Sequence, residues 1–144
     1  MTLAEKLATF PNLVQDLDHW ADYGVYTVED FDRYELETTI WDLYKDVHGI
    51  RPRFMDFSTM SIAELSETVD SLFAELKVVE AREAAAQAEA VQKFEKHVTN
   101  TICMGARDRE TALRWIMDAS EAGGDWEYFC YLHGLPYAYF KVAA

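Results

Sequence analysis

The side chains best suited to binding chemistry lie in one segment, which runs from Trp41 to Arg53 and reads WDLYKDVHGIRPR. An arginine side chain offers paired N–H donors that fit a carboxylate or a phosphate, and it also stacks on aromatic faces. Lysine adds a further cation near the end of the predicted helix. The segment therefore favours binding of an anionic small molecule, such as a nucleotide, by Trp41, Tyr44, Lys45, Arg51 and Arg53.

The two arginines have a second interpretation, in which they serve the fold. Pro52 fixes its own φ and restricts Arg51 to extended backbone, so the segment predicts a stiff loop just past a helix end. In such an acidic chain the guanidinium groups are expected to find nearby partners. Candidates are Asp46, Asp56 and the carbonyl groups of the last helical turn.

Catalytic chemistry has little support in the sequence. The chain contains no motif for zinc proteases, for phosphate-binding loops, for dinucleotides or for a serine nucleophile. Asp42 and Asp46 stand four residues apart and could hold a divalent ion with waters, but 26 acidic residues produce such pairs by chance. We expect no catalytic residue, no metal and no cofactor, and a metal-dependent enzyme is the least favoured of three functions.

Negative charge is concentrated near the N-terminus. Residues 1–50 hold eleven acids against three bases, which accounts for −8 of a net charge of −13. This sign disfavours direct binding to a nucleic-acid backbone and favours a protein partner with a basic surface. The predicted partner-binding residues are Asp32, Glu35, Asp42 and Asp46. The plainer alternative is that the acids only keep a small protein in solution.

A long helix is predicted to organise the chain. Ser61 and Glu64 have the spacing of a capping box, and neither proline nor glycine follows until Gly105. Apolar residues recur at steps of three and four on either side of an alanine-rich centre. The predicted fold is all-α, a helical bundle built around this alanine-rich helix at about 61–103.

Self-pairing follows from the predicted helix length. About 40 residues would span roughly 60 Å at 1.5 Å per residue, whereas a compact domain of this size has a radius of gyration of about 15 Å. We therefore expect a homodimer, antiparallel or crossed rather than a parallel coiled coil, because the heptad pattern does not persist. The predicted interface is Leu72, Leu76, Val79, Ala86, Val91, Phe94 and Val98.

The remaining elements flank the long helix in what we predict to be one domain, 1–144. Its N-terminal part, 1–60, should hold a short helix and a second ended by Gly24. A third helix should be capped by Thr27, with Asp30 as an imperfect capping-box partner, and run to His48 with Gly49 as its stop. The last part, 104–144, should hold a helix capped by Asp108, another over Trp126–His133, and an extended aromatic tail. Cys103 and Cys130 are expected to be buried thiols.

Two strings resemble sequences of small uncharacterised proteins of tailed bacteriophages. The first is WDLYKDxxGxRPR, in the segment described above, and the second is YFCYLxGLPY, from Tyr128 to Tyr137. No activity is attached to that group, so the resemblance assigns no catalytic residue. It implies a phage protein acting in the bacterial host cytoplasm, which agrees with the lack of a signal-like N-terminus and of a membrane-spanning apolar run.

The predicted function combines this setting with the charge pattern. We expect a non-enzymatic protein that binds a host protein of defence or nucleic-acid metabolism through its acidic surface and inhibits or modulates it. The alternatives are the anionic-ligand binder and the metal-dependent enzyme. The sequence leaves open which host protein is bound, and whether the arginine loop and the GLPY tail are functional or structural.

Overall fold

The structure is a computed structural model that describes residues 1–141. Across these residues the regular secondary structure is helical, with no β-strand, and the all-α prediction is confirmed. The α-helices are α1 Leu3–Ala8, α2 Leu17–Ala21, α3 Val28–His48, α4 Ile62–Cys103, α5 Arg109–Ala119 and α6 Trp126–His133, and a short 3-10 helix covers Phe57–Thr59.

Local side-chain chemistry sets both ends of α3. The Thr27 hydroxyl accepts the Asp30 N–H, and the Asp30 carboxylate accepts the Thr27 N–H, which makes the predicted capping box. Hydrogen bonding from the backbone of Tyr26, then from Thr27, holds the pKa of Asp30 below its ordinary value. Gly49 ends the helix at φ 79°, in the left-handed region that favours glycine. The predicted bounds of this helix are confirmed.

The long helix α4 is uninterrupted from Ile62 to Cys103, as predicted. The Ser61 N–H donates to the Glu64 carboxylate at 2.7 Å, and the Ser61 hydroxyl accepts the Glu64 N–H at 3.1 Å. Residues 80–89 are all exposed to solvent. In that stretch the helix depends on the high helix propensity of alanine rather than on tertiary packing.

The C-terminal helices also begin where the sequence predicts. The carboxylate of Asp108 accepts the Thr111 N–H at the start of α5, and the carboxylate of Asp125 accepts two N–H groups at the start of α6. The aromatic tail is not extended, and that prediction is wrong. Its backbone turns, because the Tyr139 N–H donates to the Pro136 carbonyl at 2.9 Å. Tyr139 and Phe140 pack on the core, whereas Tyr137 is exposed.

The described chain forms two compact units, residues 1–79 and residues from Glu80 onward. In the first unit, α3 packs against the first half of α4. One core cluster there gathers residues of α3 and α4, namely Ile40, Leu43, Leu65, Val69 and Leu72. A second cluster joins α1 and α2 to the start of α3, and consists of Leu3, Leu7, Trp20, Val25 and Phe31.

The second unit has a core of its own around an aromatic centre. The ring of Phe129 is fully buried and lies 5.7 Å from the Phe94 ring centroid in an edge-to-face arrangement. Phe94 and Val98 of α4 pack here against Ala112, Ile116 and other residues of α5 and α6. Cys130 is buried as predicted, whereas Cys103, expected to be buried, is exposed at the last residue of α4.

Intrachain packing changes the predicted dimer interface. Leu72, Phe94 and Val98 were assigned to it, but each is buried by its own chain, with exposures of 5%, 3% and 2%. A side chain that is already buried offers no surface to a second copy, so these three residues do not belong to such an interface. Leu76, Val79 and Val91 are half-buried, and Ala86 is exposed.

A polar cluster at the edge of the second core joins α4, α5 and the tail. Arg109 donates two hydrogen bonds to the Glu95 carboxylate, at 2.6 and 2.9 Å, and the Tyr139 hydroxyl donates to the same group. Hydrogen bonding from Arg109 is the main reason that the pKa of Glu95 lies below its ordinary value of 4.5.

This cluster predicts an acid-sensitive contribution to stability. Because the pKa of Glu95 is lowered in the folded state, its contribution is present above about pH 4.5 and is lost as pH falls through the lowered pKa. We expect Glu95→Gln to lower the melting temperature at neutral pH by about 2–4 °C, the effect of a half-exposed pair worth roughly 0.5 kcal/mol. Thermal unfolding followed by circular dichroism, at neutral pH and near pH 3, measures this difference in melting temperature.

The melting temperatures of the wild type and of Glu95→Gln should then become equal as the pH is lowered. Glu121→Gln, which neutralises an exposed carboxylate in the same unit, is the matched control and should change the melting temperature little at either pH. A difference between wild type and Glu95→Gln that stays constant with pH would contradict the account.

Candidate functional site

The loop that follows α3 is anchored at its centre. Pro52 is fully buried, and its carbonyl accepts the Met55 N–H at 3.0 Å. The neighbouring turn is closed by the Arg53 N–H, which donates to the Arg51 carbonyl at 2.9 Å. A buried proline with restricted φ, together with these bonds, holds residues 50–54 in one conformation against the first unit.

Arg51 points back onto α3. Its guanidinium group pairs with the Asp42 carboxylate, donates to the Trp41 carbonyl at 3.4 Å, and lies 5.8 Å from the Trp41 ring centroid. Internal pairing of the arginines was one of the two expectations, but the predicted acidic partners were Asp46 and Asp56. Asp42 is the acid within reach, whereas Asp56 caps the 3-10 helix by accepting from Ser58. The Ser58 hydroxyl is the main reason that the pKa of Asp56 is lowered.

The five predicted ligand-binding residues therefore do not converge. Trp41 and Arg51 meet, but a carboxylate of the same chain occupies the position that an anionic ligand would take. Tyr44 packs instead against His48, with ring centroids 4.3 Å apart and the rings tilted by 37°. Lys45 and Arg53 are exposed, and within residues 1–141 neither forms an ion pair.

The four predicted partner-binding acids lie on α3, and only two of them form ion pairs within residues 1–141. Asp32 faces Lys6 at 3.4 Å, and Asp42 pairs with Arg51. Glu35 and Asp46 are exposed, and no ion pair involves them in the described part of the chain. Residues 1–79 hold sixteen acids and six bases, a net charge of −10. The carboxylates free to meet a partner are thus Glu35 and Asp46.

The loop after α3 exposes large apolar side chains. Ile50 is 63% exposed and Phe54 is 71% exposed, on either side of the buried Pro52. The Phe54 ring packs edge-on against Tyr44 at 5.6 Å, which fixes its direction. Exposed apolar groups on rigid backbone are typical of binding surfaces, because they lose little conformational entropy on contact.

Sequence reasoning missed a groove in the first unit. It measures about 630 Å³ and lies between the last turn of α3, the loop and the first turns of α4. Its lining residues are Tyr44, His48, Met55, Thr59, Met60, Glu64, Glu67, Thr68, Ser71, Leu72 and Glu75. The sequence carried a signal, since the α4 residues of this lining recur at helical spacing, but it did not reveal which element would face them.

The described residues show neither a metal-ligand cluster nor a membrane-spanning helix. Between residues 1 and 141, no three or more histidine, cysteine, aspartate or glutamate side chains gather as metal ligands would. No helix of the described chain has the length and apolar character needed to cross a membrane. Comparison with family models, with curated proteins and with solved structures gives no match.

The pairing of Arg51 with Asp42 can be measured by a double-mutant cycle. We expect Asp42→Asn and Arg51→Gln to destabilise the chain non-additively, with a coupling energy of about 0.5–1 kcal/mol, as for a partly exposed ion pair. Urea unfolding followed by circular dichroism gives the four free energies. The control cycle replaces Arg51→Gln by Arg53→Gln, and its coupling to Asp42→Asn should be near zero. Equal coupling in both cycles would contradict the assigned geometry.

Proposed function

We propose that this chain is a non-enzymatic interaction protein, encoded by a phage, that binds a host protein with a basic surface and inhibits or modulates it. The observation that carries the proposal is the concentration of −10 of the total charge of −13 in residues 1–79. Such a surface accelerates encounter with a basic partner and repels nucleic acid, so the proposal assigns no direct nucleic-acid contact. The phage setting and the host cytoplasm rest on the resemblance of the two strings given above.

The arrangement beside α3 supports this proposal. Ile50, Arg53 and Phe54 stand exposed on one anchored loop, which follows the helix that carries the free carboxylates of Glu35 and Asp46. In many protein interfaces, most of the binding energy comes from a few large apolar side chains and arginines that are surrounded by a polar and charged rim. Preorganised backbone lowers the entropy cost of contact.

Binding of an anionic small molecule through the arginine loop has less support. Of the three predicted ligand-binding cations, Lys45 and Arg53 form no ion pair in residues 1–141, whereas Arg51 is engaged by Asp42. Lys45 and Arg53 also share their surroundings with the acids of α3. A nucleotide phosphate would therefore meet a predominantly negative surface.

Capture from a bacterial lysate tests the proposed function. At low salt the wild-type chain should retain a specific host protein, and binding should weaken as ionic strength rises. Reversing two free charges together, Glu35→Lys with Asp46→Lys, should weaken binding about tenfold or more, because each reversal replaces attraction by repulsion.

The matched control reverses two exposed acids outside the first unit and outside the proposed dimer surface, Asp118→Lys with Glu121→Lys. It makes the same change in net charge and should preserve most of the binding. If both double variants weaken capture equally, the effect is one of total charge alone and the assigned surface is wrong. If the wild type retains no protein at low salt, the proposed function falls.

Self-association is a second component of the proposal. The middle of α4 exposes Phe73 and Val78 at 47% and 50%, followed by the alanine-rich stretch that includes Ala86. Small side chains let helices approach closely, and pairing with the same helix of a second copy would remove this surface from water. The homodimer is proposed through this stretch rather than through the buried ends of the predicted interface.

Sedimentation at tens of micromolar tests the dimer. The wild type should sediment at twice the chain mass of 16.6 kDa. Ala86→Arg should shift it toward the monomer, because a long charged side chain prevents close approach of helices. Ala63→Arg, on the exposed first turn of the same helix, is the control and should leave the dimer intact. A monomeric wild type at this concentration would rule the proposal out.

A further inference from the structure

The groove in the first unit has an elongated form. Its α4 wall runs from Glu64 to Glu75, eleven residue steps that correspond to about 16 Å of helix. The opposite wall is formed by Tyr44 and His48 in the last two turns of α3, and the loop residues close one side. A length of three helical turns is suited to a segment of polypeptide rather than to a small compact ligand.

Apolar side chains line the central part of the groove. Leu72 belongs to the core beneath it, and Met55 and Met60 are half-buried against the same core. Methionine is flexible and polarisable, so it adapts to side chains of different shape. The Tyr44 ring continues this apolar surface outward to the exposed Phe54, which packs on it edge-on.

The charges around the groove are almost all negative. Glu64, Glu67 and Glu75 line it, and neither lysine nor arginine is among its lining residues. Two of these carboxylates have intrachain partners: Glu64 accepts the Ser61 N–H, and Glu75 lies 3.2 Å from His48 Nε2. Glu67 forms no ion pair within residues 1–141. Cations placed near either end of the groove would therefore find carboxylates to pair with.

We propose that this groove is the docking site for a basic amphipathic helix of the partner protein. Leucine-like side chains would pack on Leu72, Met55 and Met60, and lysine or arginine side chains would lie near Glu67 and Glu75. The proposal rests on the proposed function and deepens it, since it states which part of the partner is recognised. The proposed homodimer uses Phe73, Val78 and the alanine-rich stretch, none of which lines the groove, so the groove stays open to the partner protein.

Synthetic peptides of defined chemistry test the groove in the full-length protein. The probe is a helical peptide of leucine and lysine, about three turns long, with leucines on one face. Its control has the same composition in scrambled order, so that charge is equal and the apolar face is lost. Isothermal titration calorimetry should give binding about tenfold or more tighter for the patterned peptide. Equal affinity for the two peptides would overturn the proposal.

Variants on one turn of α4 localise the binding. Glu67→Lys should weaken the patterned peptide about fivefold or more, because it replaces a partly exposed ion pair by repulsion. Asp70→Lys makes the same charge change three residues away on an exposed residue outside the groove lining, and should change affinity less than about twofold. Ser71→Trp fills the groove without changing charge and should also abolish the preference for the patterned peptide.

Competition with spermine separates a polypeptide from a small polycation. Spermine should displace the patterned peptide only weakly, because it cannot cover the apolar lining of the groove. If spermine displaces the peptide when both are present at the same total concentration of positive charge, the proposal is overturned. Failure of the groove proposal can be distinguished from failure of the proposed function. If capture from lysate depends on Glu35 and Asp46, but Glu67→Lys and Asp70→Lys change the affinity for the peptide equally, the groove proposal fails and the proposed acidic surface on α3 is retained.

Discussion

The two apolar stripes of α4 are the constraint on which the structure depends. Its first half supplies Leu65, Val69 and Leu72 to the core of one unit, and its second half supplies Phe94 and Val98 to the core of the other. Units of this size bury a modest fraction of their surface, so each needs its share of this helix to form a core at all. The alanine-rich stretch at 80–89 has no such role and stays exposed.

The negative surface of the first unit consists of the carboxylates that have no ion-pair partner within residues 1–141. Pro52 is buried and Arg51 is turned back onto Asp42, so the loop after α3 presents Arg53, Ile50 and Phe54 instead. Ion pairs with Lys6 and Arg51 neutralise two of the carboxylates of α3, but Glu35, Asp46 and Glu67 form no ion pair in the described residues. The surface next to α3 and the groove along α4 are thus acidic for the same reason. Both belong to a unit that has far more carboxylates than cations.

The sequence predicted the features that depend on neighbours along the chain. The capping pairs Thr27–Asp30 and Ser61–Glu64, and the glycine after α3, are local chemistry, and the helices they delimit were found as predicted. It did not predict which partner Arg51 would choose, since Asp42 lies nine residues earlier and is brought near only by the loop. Nor could a periodic apolar stripe reveal whether Leu72 and Phe94 face their own chain or another copy, because both give the same pattern.

The central claim is that the first unit carries the partner-binding surface. Hydrogen–deuterium exchange of the full-length chain, free and in complex with the host protein it captures, tests it most directly. The account predicts slower exchange in α3, in residues 50–60 and in the first turns of α4, with little change in α5 and α6. Protection confined to residues from Glu80 onward would contradict it.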